Sequence, residues 1–331
     1  MTDKETILLP HNSQPPIRCY RIHAYLFNIL GINYPEFNKY VISNYLNLNN
    51  RGWNHPKEYL DFNIDNNFKS TKRLFWDNSW FDIIQIPDIN KKIYSDIEIK
   101  EKIIEHLKKG YYILHYTNES CLSHTIHYKS DAFYNLIMIY GYDKTSDSFF
   151  ALDYNYKRNF GTSQIPSKEY LSSLTSMHFS NYLNFIKAKK NLIFKFDYER
   201  SLRLIKCYIN SENAYPNYEE YKINIFGYES VERSLHVMSD IGLNIISIRA
   251  IMEHKDIMMK YFNYIIENHF IDNKEIVDKY NNINKQMHII FMKILKKEIA
   301  NINSKNYLEE YDAIRKLNEK EAILLENYLK N

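Results

Sequence analysis

At 331 residues the chain exceeds one ordinary small domain and suits two. Its 45% hydrophobic and 25% charged residues are a globular composition, and a net charge of +3 without a basic stripe gives no case for nucleic acid. No run of about 18 apolar residues exists, so no membrane span is expected, and the polar, acid-bearing start Met1–Thr6 does not read as a signal peptide. Three widely spaced cysteines, Cys19, Cys121 and Cys207, suit neither a disulfide framework nor a zinc ribbon and point to a reducing cytoplasm.

In chain order, an irregular start is stiffened by Pro15-Pro16. A helix is expected from about Cys19, with Ile22, Leu26, Ile29 and Leu30 on one face and Gly31 as its stop. A second helix covers Glu36–Leu46. Residues 49–95, which carry Trp53, Trp76 and Trp80, read as loops and short strands, Phe81–Ile86 among them. Ile97–Leu107 is an amphipathic helix closed by Lys108-Lys109-Gly110. Tyr111–Thr117 is a strand, and Asn118–Asp131 a polar loop holding His124 and His127. The apolar run Phe133–Tyr140 is expected to end at Gly141. After the polar turn Lys144–Ser148, a second strand runs from Phe149 to Asp153. Ser167–Ser176 reads as a helix and Leu192–Phe196 as a last strand. From about residue 199 strand signals vanish, and five helical patterns follow as far as Leu329. The expected organisation is therefore an α+β domain over residues 1–205, its sheet mixed or antiparallel, and an all-helical domain over 206–331.

Few residues carry chemistry individually. Cys19 stands at a helix N-terminus, where unpaired amides and the helix dipole favour a thiolate; a buried free cysteine is the plainer reading. His124 and His127 lack a third metal ligand, so neither a metal nor a cofactor is expected. No Gly-rich phosphate loop, His-Glu-x-x-His or Gly-x-Ser-x-Gly occurs.

The combination says more. An early cysteine at a helix start, a polar residue six positions before Gly141-Tyr142-Asp143, and an acid on the next strand follow the chain order of papain-like cysteine-protease folds. Together with Pro16-Ile17-Arg18-Cys19, Leu107–Tyr112 and the segment Ile248–Met258, this order resembles the butirosin H-like acyltransferases of natural-product gene clusters. That resemblance implies a papain-like domain in which Cys19 accepts an acyl group from a carrier protein's phosphopantetheine thioester. A small amine then takes the acyl group as an amide.

One position departs from the family pattern. A histidine is expected six residues before Gly-Tyr-Asp, and Asn135 stands there; asparagine cannot take a proton. Three readings stay open. Cys19 works with another base, namely His127, His124 or His115. It acts as a thiolate set by its helix end, with Asn135 and Asp153 as polar support. Or the chain is a catalytically inactive binding protein. The candidate set is Cys19, Asn135, Asp153 and His127.

Overall fold

A computed structural model describes residues 6–50, 60–63, 80–87, 89, 93–156, 159–177, 182–217, 224–300 and 306–330. Trp53 and Trp76 lie outside them. The elements are β1 (Thr6–Leu8), α1 (Arg21–Asn33), α2 (Phe37–Asn44), β2 (Leu48–Asn50), β3 (Leu60–Phe62), β4 (Phe81–Ile86), α3 (Asp96–Lys108) and β5 (Tyr112–Asn118). They continue with β6 (Tyr134–Asp143), β7 (Ser148–Tyr154), β8 (Phe160–Pro166), α4 (Ser167–Thr175), β9 (Leu183–Ala188) and α5 (Tyr198–Ile209). The last are β10 (Ile225–Phe226), α6 (Gly227–Ile241), α7 (Ile245–Glu267), α8 (Glu275–Ile299) and α9 (Leu308–Lys330). The chain is thus α+β, and every described strand pair is antiparallel. Among the described residues no helix is long and apolar enough to cross a membrane.

Two compact units divide the chain: Met1–Pro35 with Ser70–Leu192, and Glu36–Lys69 with Ile193–Asn331. The expected boundary after residue 205 is displaced by the contacts of α5. Ser43 Oγ accepts the Asp197 N–H at 3.0 Å, and Arg200 Nη1 donates to Asn44 Oδ1 at 3.0 Å, which ties α5 to α2.

The first unit is built on a seven-stranded sheet of order β4-β9-β5-β6-β7-β8, with β1 paired to the far end of β6. Residues 136–142 of β6 are all buried because both sheet faces are covered, which is why this stretch is continuously apolar rather than alternating. Ile113, Ile137, Ile139, Phe149 and Ala151 pack with Ile99, Ile103 and Leu107 of α3 and Tyr170, Leu171 and Leu174 of α4. Helix α1 packs on β6 and β9. Its residues His23–Leu30 are buried without interruption, as expected of a helix enclosed on all sides. Helix α3 starts with a capping box between Ser95 and Glu98.

Three local expectations are corrected. Helix α1 runs through Gly31 to Asn33. Gly141 does not end its strand: β6 continues to Asp143 across a register shift between Ile139 and Gly141. A side chain at Gly141 would lie 2.6 Å from the Ile7 carbonyl oxygen, so the glycine is what lets β1 lie against β6. Leu192–Phe196 is not a strand; Phe194 packs edge-on against Phe37 instead. The strand between β4 and β5 is β9, whose Asn184 breaks the apolar run. That side chain donates to the Leu114 carbonyl at 2.9 Å and accepts from Gln85 at 2.6 Å.

The second unit is not all-helical. It holds a three-stranded antiparallel sheet, β10-β2-β3, beside α6 and α7. Its strands carry buried Asn49, Asn50 and Asp61, so they lack an apolar signature. Side chains on the helices reach this sheet: Asn50 donates to Ser234 Oγ at 3.1 Å, and Ser247 Oγ accepts the Leu60 N–H at 3.1 Å. Among the helices, Lys255 of α7 and Glu321 of α9 form a fully buried ion pair. Tyr208 Oη donates to the same carboxylate at 3.0 Å and Tyr280 donates to its other oxygen. Burial pushes the Lys255 pKa down. Burial alone would raise Glu321, but Lys255 outweighs it and the carboxyl is held low.

Truncating one member of such a pair leaves a buried charge alone. Lys255→Ala should lower unfolding stability by about 3–5 kcal/mol, whereas Lys255→Met with Glu321→Leu should cost clearly less than the single change. Urea unfolding of the three chains checks this; equal losses in the single and double variants would contradict it.

Candidate functional site

The end of β7 gathers the site. Asp153 and Tyr154 are consecutive and point to opposite faces of the sheet, as alternation along a strand requires. Tyr154 donates its phenol hydrogen to the Arg18 carbonyl. Asp153 Oδ1 lies 2.9 Å from Arg21 Nη1. Cys19 therefore sits on a segment pinned to β7 from both sides. It precedes α1 rather than opening it: Tyr20 is the N-cap, and the Tyr20 side chain makes no cap hydrogen bond. The first-turn amides of α1 and the Arg21 guanidinium both favour an anion beside Cys19. Cys19 is buried, at 4% exposed.

Arg21 Nη1 also meets Glu119 Oε1 at 2.6 Å and donates to the Leu136 carbonyl at 3.0 Å, an oxygen that accepts the Tyr25 phenol as well. Burial alone would lower the Arg21 pKa; Asp153 foremost, then Tyr25 and Glu119, outweigh it, so the guanidinium stays charged. Burial pushes the Glu119 carboxyl up, Arg21 pulls it down and Asp153 pushes it up again; the net direction is upward.

Two histidines face these acids. His124 Nε2 is 3.5 Å from Asp153 Oδ2, and neither His124 ring nitrogen has a protein hydrogen-bond partner. Tyr156 donates its backbone N–H to the His124 carbonyl at 2.8 Å, which fixes the loop beside β7. His127 Nε2 is 3.9 Å from Glu119 Oε2, and its ring stacks on Phe133 at 3.8 Å with 15° between planes. The acid at the end of the hairpin is thus paired with His124, and His127 faces Glu119 instead. The third histidine weighed as a base, His115, is fully buried under Tyr170. Its Nε2 is 3.0 Å from the phenol, and burial pushes its pKa down to about 3. It is a neutral core group.

Asn135 lies near this cluster without joining it. The Met138–Leu152 pair sets Ile137 opposite Asp153, so Asn135 shares Asp153's face of the sheet. Its side-chain oxygen accepts the adjacent Leu136 N–H at 3.0 Å, which ties the amide to its own backbone. Arg21 and Glu119 are the members that motif spacing missed. Their only sequence signals are a charge at the head of an apolar helix and an acid directly after a strand, and neither is specific. Among the described residues, no group of three or more His, Cys, Asp or Glu side chains is arranged to hold a metal.

No protein-family model matches the sequence, and no curated protein matches it at a significant level.

Because the His115 pKa is depressed from 6.5 to about 3, the unfolded chain binds that proton first as pH falls. The stability this histidine contributes is complete above about pH 6.5 and is lost on acidification through the window down to about pH 3. His115→Gln should flatten the fall of stability in that window by up to about 1.4 kcal/mol per pH unit. Thermal melts across the range measure it; parallel curves for the two chains would contradict the neutral, buried assignment.

Proposed function

We propose that the chain is a cysteine-dependent acyltransferase of papain-like design, acting in natural-product biosynthesis. Cys19 is its nucleophile, His124 its base, and Asp153 the acid that orients the base. The supporting observation is the convergence on β7: Asp153 faces His124 at 3.5 Å and grips Arg21, two residues after Cys19. A nucleophile, a base and an acid orienting the base are the parts acyl transfer requires. Of the histidines weighed as stand-ins for the motif base absent at Asn135, His124 takes this role in place of His127, and Asn135 keeps only a supporting place on the strand.

The chemistry suits a thioester donor. His124 takes the Cys19 proton, and the sulfur attacks the acyl carbon of the carrier-bound phosphopantetheine thioester. In this scheme the first-turn amides of α1 receive the oxyanion. The carbon–sulfur bond to pantetheine breaks, and His124 returns the proton to the departing thiolate. An amine then attacks the Cys19 thioester; the new C–N bond forms, the C–S bond breaks, and the amine proton passes through His124 to the Cys19 sulfur. The first exchange is nearly isoenergetic and the second runs downhill, so no nucleotide is consumed. The amide synthetase of closthioamide assembly follows the same logic.

A second reading, a binding protein without catalysis, is favoured by the shielding of Cys19 and by Asn135 at the expected histidine position. One experiment separates the two. Incubated with an acyl-pantetheine thioester, the wild-type chain should gain one acyl mass in intact-protein mass spectrometry, and Cys19→Ala should gain none. His124→Ala should slow the gain by about 10²–10⁴-fold, and added primary amine should discharge the adduct. An unmodified wild-type chain would leave the binding reading standing.

A further inference from the structure

The polar loop between β5 and β6 makes a feature that acylation of Cys19 does not use. Glu119 opens it in a short 3-10 turn, with its carboxylate buried. The Glu119 N–H donates to the Phe133 carbonyl at 2.7 Å, so the acid and the aromatic ring are held side by side. His127, stacked flat on Phe133, closes the group. Around it Ile126, Tyr128, Phe133 and Tyr156 are all exposed. Three of them belong to the loop and Tyr156 is hydrogen-bonded to it through the His124 carbonyl, a denser set of exposed apolar side chains than the scattered singles of an ordinary surface.

Charge defines what this rim suits. Glu119 and Asp153 share the single guanidinium of Arg21, so two acidic side chains face one fixed cation. Independently, Asp153 Oδ2 is buried without a hydrogen-bond partner, and Glu119 Oε2 stands 3.9 Å from His127, too far for a hydrogen bond. A buried carboxyl beside His127 and the exposed Phe133 ring fits a ligand with a cationic head and an apolar body. Lys129, on the same loop, already lays its ammonium over Tyr128 at 5.1 Å, the contact such a head makes with these rings.

Building on the reading of Cys19 as acyl carrier, we propose that the acceptor is a primary amine with an aromatic-sized apolar body. It docks as its ammonium against Glu119, with the body on Phe133 and the neighbouring rim. Before attack the ammonium gives one proton to His127, which passes it to solvent. The free amine forms the C–N bond to the acyl carbon, the bond from that carbon to Cys19 sulfur breaks, and the second nitrogen proton goes to that sulfur.

Isothermal titration calorimetry of the full chain with phenethylammonium chloride tests the site without any acyl donor. Wild type should bind phenethylammonium at least tenfold tighter than either ethylammonium or uncharged 2-phenylethanol. Glu119→Gln should weaken phenethylammonium at least tenfold, and Phe133→Ala should weaken it while leaving ethylammonium unchanged. Binding of 2-phenylethanol as tight as the ammonium, or no binding of phenethylammonium to wild type, overturns the proposal; both comparisons need only the native chain. Amine binding beside an unmodified Cys19 would sink acyl transfer alone, and an acylated Cys19 without amine binding would sink this inference alone.

Discussion

The guanidinium of Arg21 is the contact on which the first unit's polar end depends. One nitrogen of one side chain meets Asp153, Glu119 and the Leu136 carbonyl, which come from β7, the loop after β5, and β6. Each acid alone would be a costly buried charge. Held against Arg21 both are compensated by one cation, and each presents its second oxygen to a histidine. The arrangement converts a structural necessity, compensation of buried charge, into an ordered pair of acid–histidine contacts. It also ties the segment carrying Cys19 to the sheet, because Arg21 is part of that segment.

The second unit solves the same physical problem differently. Lys255 and Glu321 neutralise each other, and the remaining lone pairs of the carboxylate are filled by Tyr208 and Tyr280. That network is closed and fully buried. The cluster around Arg21 is open on one side: His127 is a third exposed, and one oxygen of Asp153 is left without a hydrogen bond. Buried polar groups with spare valence, beside an exposed rim, are where binding and proton transfer are possible.

Much of the architecture is readable from periodicity. The hairpin of β6 and β7, the helix α3 with its glycine exit, and the long helices α7 to α9 carry strong patterns, and the structure places each within a few residues of its expected span. The misses share a cause. β9 and the small sheet of β2, β3 and β10 bury polar residues, and Asn184 and Asn50 find partners distant in sequence, so no local pattern marks them. Gly141 reads as a stop because its role, admitting the backbone of β1, depends on a strand more than 130 residues earlier. At the candidate site, chain order is what singles out Cys19 and Asp153, and the structure sets Asp153 against Arg21, two residues after Cys19. That Asp153 faces His124 while His127 faces Glu119 is set by how one loop folds back on β7, and the spacing of two histidines three apart cannot decide it.

The proposed acyl transfer requires Cys19 to be an activated thiol, its segment held to β7 by the Arg21–Asp153 contact. The most direct measurement is the rate at which iodoacetamide alkylates each cysteine of the folded chain near pH 7, read by peptide mass spectrometry. Cys207, a buried thiol whose pKa burial pushes up, is the internal reference. Cys19 should react at least tenfold faster than Cys207, and Asp153→Asn should remove most of that advantage. A Cys19 that reacts no faster than Cys207, or whose rate is indifferent to Asp153→Asn, would contradict it.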